Sequence, residues 1–212
     1  MAKKKAEQKI EIKRPDFRYM DIEIVGERPL NIHRLGKKLE DEFRARDKDK
    51  PVKKKQVRDY QAEFEDSLYY IDKNFKETKA PNKITASTRF GFPASGFKKA
   101  MVGAGRNFKG VEMTKLRGRF FVENEFVEIK GKPVKDEFWR RIGGKGSGTG
   151  TPDIGVRAVF PEWSATLHLK YNADVISAES VINLLYTAGF SDGIGEDRPN
   201  KSGNSFGTWT IK

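Results

Sequence analysis

Cysteine is absent from the 212 residues of this chain, and histidine occurs only at His33 and His168. The first absence excludes disulfide frameworks, thiolate zinc sites, iron–sulfur clusters and thiol nucleophiles, and it fits a reducing compartment. Two histidines argue against a histidine-rich metal site, and no metal is expected. Long apolar runs are missing as well: no stretch approaches the roughly 18 residues that a bilayer span needs. The Lys3–Lys5 start leads into Ala6-Glu7-Gln8-Lys9 with no apolar segment behind it, so nothing reads as an export signal. A cytoplasmic protein without a membrane partner is the expectation.

Charge is what the chain has in abundance. Forty-two Lys and Arg against thirty Asp and Glu give a net charge of +12, with 34% of positions charged and 36% hydrophobic. That hydrophobic content supports a folded domain of good size, and the net positive field makes polyanions the leading class of partner.

Residues 1–18 hold seven Lys or Arg against three acids with little periodicity, the composition of a basic flexible arm ahead of a single domain over 19–212. Met20, Ile22 and Ile24 alternate with Asp21 and Glu23, the period of a half-buried strand, before Arg28-Pro29 turns the chain. Residues 44–58 carry eight basic and two acidic side chains around Pro51 and read as an exposed basic insertion. Tyr60, Phe64, Leu68 and Ile71 fit a helix over 58–71. Residues 84–92 read as a short strand, and Ser95 as the N-cap of a helix burying Phe97, Ala100, Met101 and Ala104. Phe120–Val122 and Phe126–Ile129, parted by Glu123-Asn124-Glu125, predict a hairpin, and six glycines in 143–155 predict a flexible loop; together they form an insertion at 119–155. Ala165, Leu167, Leu169 and Tyr171 alternate in a strand, Ser177 caps a helix that Gly189 ends, and Phe206–Ile211 closes as a strand. The resulting class is α+β, a ferredoxin-like antiparallel sheet with helices on one face.

Two constellations carry charge in a chemically useful context. Residues 89–119 interleave Arg89, Lys98, Lys99, Arg106, Arg117 and Arg119 with phenylalanines, the mixture that a single-stranded nucleic-acid groove requires, although Phe97 reads as core. The stretch 193–207 sets four glycines around Arg198 and Lys201 between a helix and a strand. It lacks the Walker register and the dinucleotide fingerprint, so no cofactor is expected. Its glycines suit either a phosphate approach or a long turn.

Gly91-Phe92-Pro93-Ala94-Ser95-Gly96-Phe97-Lys98-Lys99-Ala100, followed by Arg106, resembles a segment of the RAMP superfamily of CRISPR effector proteins, particularly their backbone subunits. The loop at 193–207 running into a terminal strand resembles that superfamily's C-terminal glycine-rich signature, with the departure that Glu196 and Asp197 lie inside it. The resemblance implies an RRM-like palm with inserted finger and thumb loops that holds single-stranded guide RNA and multimerises along it, with or without other effector subunits. Carried over by position, Ser95, Lys98 and Lys99 would meet phosphates, Gly193, Gly195 and Arg198 would line the opposite edge, and 119–155 would be the thumb. Arg106, Arg117, Arg119 and Lys201 complete the basic path read from charge.

Three alternatives stand beside this reading. A virus-encoded single-stranded DNA-binding protein would share the fold without a CRISPR role. Some RAMP proteins are metal-independent endoribonucleases, and His33 follows the first strand where a general base would sit. Asp41, Asp47 and Asp153 are weaker candidates for metal-assisted cleavage. A structural packaging protein would neutralise nucleic acid with no defined groove.

Overall fold

A computed structural model describes residues 12–34, 36, 58–142 and 150–212. The basic insertion up to residue 57, Asp41, Asp47 and most of the N-terminal arm lie outside the described residues.

Alternating burial builds the centre of the molecule. In β1 (Phe17–Gly26), Ile22 and Ile24 are buried while Tyr19, Asp21 and Val25 are exposed. In β10 (Ser164–Asn172), Ala165, Leu167, Leu169 and Tyr171 are buried in strict alternation. The two strands pair antiparallel from Phe17↔Asn172 to Val25↔Ser164, so their apolar sides coincide. β1 begins inside the expected arm because Phe17 and Arg18 continue this ladder.

Among the described residues, nine further strands complete two antiparallel sheets. Chain order gives β2 (Leu30–Ile32), β3 (Tyr69–Ile71), β4 (Glu77–Thr78), β5 (Phe90–Pro93), β6 (Phe120–Val122) and β7 (Phe126–Lys130). β8 (Val134–Ile142), β9 (Thr151–Phe160) and β11 (Trp209–Ile211) follow. The large sheet runs β11-β1-β10-β7-β5-β3-β4, with β6 also on β10; the small one runs β2-β9-β8. Two long helices, α2 (Ala94–Ala104) and α4 (Ala178–Ser191), pack on each other, α2 against β5, β6 and β7 and α4 against β11. Phe97 of α2 meets Trp209 of β11 at 5.7 Å between ring centroids, and both are fully buried. Burying a side chain of that kind contributes about 1.5–3 kcal/mol. The protein is thus α+β with a large antiparallel sheet. Among the described residues no helix is long and apolar enough to cross a membrane.

Several local expectations are corrected. The helix expected over 58–71 is α1 (Tyr60–Asp66) alone: Asp59 caps it, Ser67 closes it, and Ile71 instead lies in β3 beside β5. The strand expected over 84–92 is reduced to β5, with 84–88 in turns. Ser95 is not a cap; Pro93 ends β5 and is itself the N-cap of α2. Phe120–Val122 and Phe126–Ile129 form no hairpin. β6 and β7 lie end to end along β10, and the register slips by three residues between Leu169↔Val122 and Ala165↔Ile129. Glu123-Asn124-Glu125 absorb the slip, with Asn124 at φ 67°. The true hairpin of this region is β8–β9, paired from Val134↔Val159 to Ile142↔Thr151, so residues 151–155 of the expected flexible loop are strand. Gly189 does not stop α4, which runs on to Ser191; a Cβ there would lie 2.1 Å from the Trp209 carbonyl oxygen, so glycine lets the helix cross β11. The final strand begins at Trp209 rather than Phe206.

Candidate nucleic-acid interface

The junction of β5 and α2 creates the first half of the site. Pro93 ends the strand and α2 starts at once, with the Ala94 amide donating to the Glu125 carbonyl in the break between β6 and β7. Ser95 is therefore exposed at the start of the helix, and Lys98 follows one turn later on the same side. Both line an open pocket of about 450 Å³ shared with Asn124, Glu125 and Phe126. Lys98 leans over the edge of β6, its Nζ 3.6 Å from the centre of the Phe121 ring. Partial burial pushes its amine below the ordinary lysine value. Lys99 is exposed beside it, and Arg117 and Arg119 flank the start of β6 after the short helix α3 (Met113–Leu116). Among the described residues, no carboxylate lies within ion-pair distance of Lys98, Lys99, Arg117 or Arg119.

The other arginines of this stretch have a different employment. Arg106 reaches Asp192 at 2.6 Å and Asn200 at 3.2 Å, and donates to the Gly103 carbonyl. Asp192 is 1% exposed, so Arg106 ties α2 to the end of α4 and does not join the basic path. Arg89 forms a two-point pair with Glu128 across β5 and β7, and Lys115 pairs with Glu112. Phe90 and Phe97 are core, so the phenylalanines of 89–119 supply little stacking surface.

The glycine-rich stretch at 193–207 is a plug in the protein's own structure. Gly193 donates to Ala188, Ile194 to Gly207, Glu196 to Asn31 and Gly207 to Pro29, which leaves these amides turned inward. Gly195, at φ 80°, has the Asn31 carbonyl oxygen 2.3 Å from where a Cβ would be. Arg198, just before the short helix α5 (Pro199–Ser202), donates back to the Gly195 carbonyl at 2.7 Å, and Lys201 is exposed on α5. The two acids inside the loop have structural partners: Glu196 faces His33 and Arg157, and Asp197 pairs with Arg157. Arg157 is almost fully buried and also bonds Asp136 at 2.8 Å. The His33 contact, with Arg157 behind it, holds the Glu196 carboxyl below its ordinary value. Glu196 and Asp197 thus fasten the loop to β2 and β9, Gly195 allows the close approach to Asn31, and Gly193 and Arg198 bond within the C-terminal segment.

His33 Nδ1 lies 3.2 Å from Glu196 Oε2, and the side chain remains partly exposed. His168 Nδ1 lies 2.6 Å from Asp21 on the neighbouring strand. Asp153 is engaged by Arg58 at 2.8 Å and Arg140 at 2.9 Å. Among the described residues, no three His, Asp or Glu side chains gather as a metal site would require.

One group escaped the sequence reading. Phe17, Tyr19 and Phe121 are 52%, 65% and 47% exposed on the side of the sheet turned away from the buried alternation. Tyr19 and Phe121 both lie opposite Lys170 in the strand register. The signal was present: Tyr19 shares the parity of Asp21 and Glu23, and an aromatic side chain in the polar register of an amphipathic strand has no core to enter. No protein-family model matches this chain, and no match is found among curated proteins.

Proposed function

We propose that this protein binds single-stranded nucleic acid, RNA before DNA, holding its backbone along the α2–β6 edge and multimerising along the strand like a backbone subunit of a CRISPR effector complex. The observation that carries the reading is the division among its cations. Arg58, Arg89, Arg106, Arg140 and Arg157 are engaged by carboxylates, whereas Lys98, which lines the pocket at the start of α2, and Lys99, Arg117 and Arg119 have no such partner among the described residues. An unpaired cation gains a charge-assisted bond from a phosphate, while a paired one must first give up its carboxylate. A ferredoxin-like, RRM-like palm is supported by the strand order β11-β1-β10-β6, with α2 between the first and second of these strands in the chain and α4 between the third and fourth. In this reading the β8–β9 hairpin takes the thumb's place. The preference for RNA rests on the resemblance of residues 91–100; a virus-encoded single-stranded DNA binder would use the same edge.

Purification without nuclease, followed by stripping and sequencing of whatever co-purifies, tests the proposal. Single-stranded RNA of uniform length in a multimer is the expected result. Heterogeneous DNA would transfer the site to a replication-type binder, and salt-labile contaminants alone would overturn the groove and favour a packaging protein.

The pairing of His33 with Glu196 favours one second reading, a metal-independent endoribonuclease, because a carboxylate on Nδ1 orients an imidazole for attack on a 2′-hydroxyl proton. RNA cleavage that survives chelator and disappears in His33→Ala would establish it; no cleavage by the wild type removes it.

A further inference from the structure

We infer that Phe121, Lys170 and Tyr19, extended along β1 by Phe17, form a platform on which separate bases of a single nucleic-acid strand stack. The inference deepens the proposed function and rests on it. Phe121, Lys170 and Tyr19 form a row across three adjacent strands, aromatic, cation, aromatic, because Lys170 is the register partner of both rings. Lys170 Nζ sits 5.0 Å from the Phe17 ring centre and 5.4 Å from that of Tyr19, and Lys98 holds Phe121. An ammonium group thus lies over each ring, Lys98 over Phe121 and Lys170 over Phe17 and Tyr19, so a base that stacks there takes its place and releases the cation to the phosphate of the same nucleotide.

Position and charge select the occupant. Beyond the row, Asp21 and His168 engage each other, and Phe75 packs edge-on against His168, which bounds the platform on that side. Among the described residues β6 has β10 as its only strand neighbour, so Phe121 stands at the rim of the sheet. Lys98 spans that rim, joining the Ser95 pocket to the aromatic row. A backbone held at the pocket can therefore lay its bases on the open face. With strands about 4.8 Å apart, Tyr19 and Phe121 are about 10 Å from each other. Bases in a stacked strand rise by about 3.4 Å, so a strand reaching both rings must be splayed, which a duplex cannot do.

The test uses the full chain and fluorescent single-stranded oligonucleotides, with an abasic oligomer of equal length as the probe of stacking. The wild type should bind the base-bearing oligomer at least about fivefold more tightly than the abasic one, the lower end of one stacked base. Tyr19→Leu and Phe121→Leu should each lose about that factor and leave the salt dependence unchanged, while Tyr19→Phe, which keeps the ring, should bind as the wild type does. The abasic comparison on the wild type needs no variant to fold. Equal affinity for both oligomers would overturn the platform and leave backbone binding standing; no binding of either would overturn both. Loss of self-association in Tyr19→Leu without nucleic acid would assign the row to a second copy of the chain and overturn the inference.

Discussion

The amine of Lys98 rests 3.6 Å from the centre of the Phe121 ring, joining the second turn of a helix to a strand whose aromatic side chain faces away from the core. A buried lysine stem with its charge at a rim is a common way to cover apolar surface and keep a cation available. Here it places the one partly desolvated lysine of α2 between the pocket and the open face.

Charge reversal at this edge is expected to weaken binding more than reversal elsewhere. Lys98→Glu with Lys99→Glu should reduce affinity for a single-stranded oligomer by more than Lys53→Glu with Lys54→Glu, and should lower the slope of log K against log salt by about two. Fluorescence anisotropy across a salt series makes the comparison. Equal losses would mean that the positive field acts as a whole.

Arg106→Ala is expected to behave as a stability mutant. Asp192 is 1% exposed and would lose its cation, so unfolding free energy should fall by about 2–3 kcal/mol in a urea titration. The salt slope of binding should be that of the wild type. A reduced slope with unchanged stability would return Arg106 to the phosphate path.

Gly189→Ala is expected to cost about 2 kcal/mol or more, because its methyl group would meet the Trp209 carbonyl oxygen at 2.1 Å and α4 would have to lift from β11. Thermal unfolding reads this directly, and a melting temperature equal to the wild type's would contradict the packing.

Glu196 fastens the C-terminal loop through a carboxyl held below the ordinary value of 4.5, by His33 first. The folded carboxyl binds its proton less tightly than the unfolded one, so its contribution is complete above pH 4.5 and is lost as pH falls through the lower folded value. Wild type should exceed Glu196→Gln in stability at about pH 6, and the gap should close in acid. A gap independent of pH would show that shape, and not charge, holds the loop.

Local pattern was enough where an element depends on its own residues. The alternation in β10, the Ser177 cap of α4 and the buried stripe of α2 were all readable, because period and capping are local properties. Pairing was not. Phe120–Val122 and Phe126–Ile129 look like two arms of a hairpin, and only β10, some forty residues on, makes them one interrupted line of pairing. Ile71 completes a helical spacing and yet lies in a strand, since β5 offers it a ladder that the sequence around it does not reveal. The site divides in the same way. Lys98 and Lys99 were legible as cations on a helix, but the partner that removes Arg106 from the path is Asp192, 86 residues away. The glycines of 193–207 suited a cradle, but the amides of Gly193 and Gly207 turn inward to Ala188 and Pro29.

The break between β6 and β7 also bears on edge-to-edge aggregation. An edge strand offers its unpaired amides and carbonyls to any other extended chain, and long flat edges invite aggregation. β6 is three residues long, ends in a kink at Asn124, and is bordered by Arg117 and Arg119 on one side and Glu123 and Glu125 on the other. A fourth or fifth hydrogen bond with a stray strand has nowhere to form. Beyond the kink β5 covers the far side of β7, so the uncovered edge here is only as long as β6 itself, too short to seed a fibril.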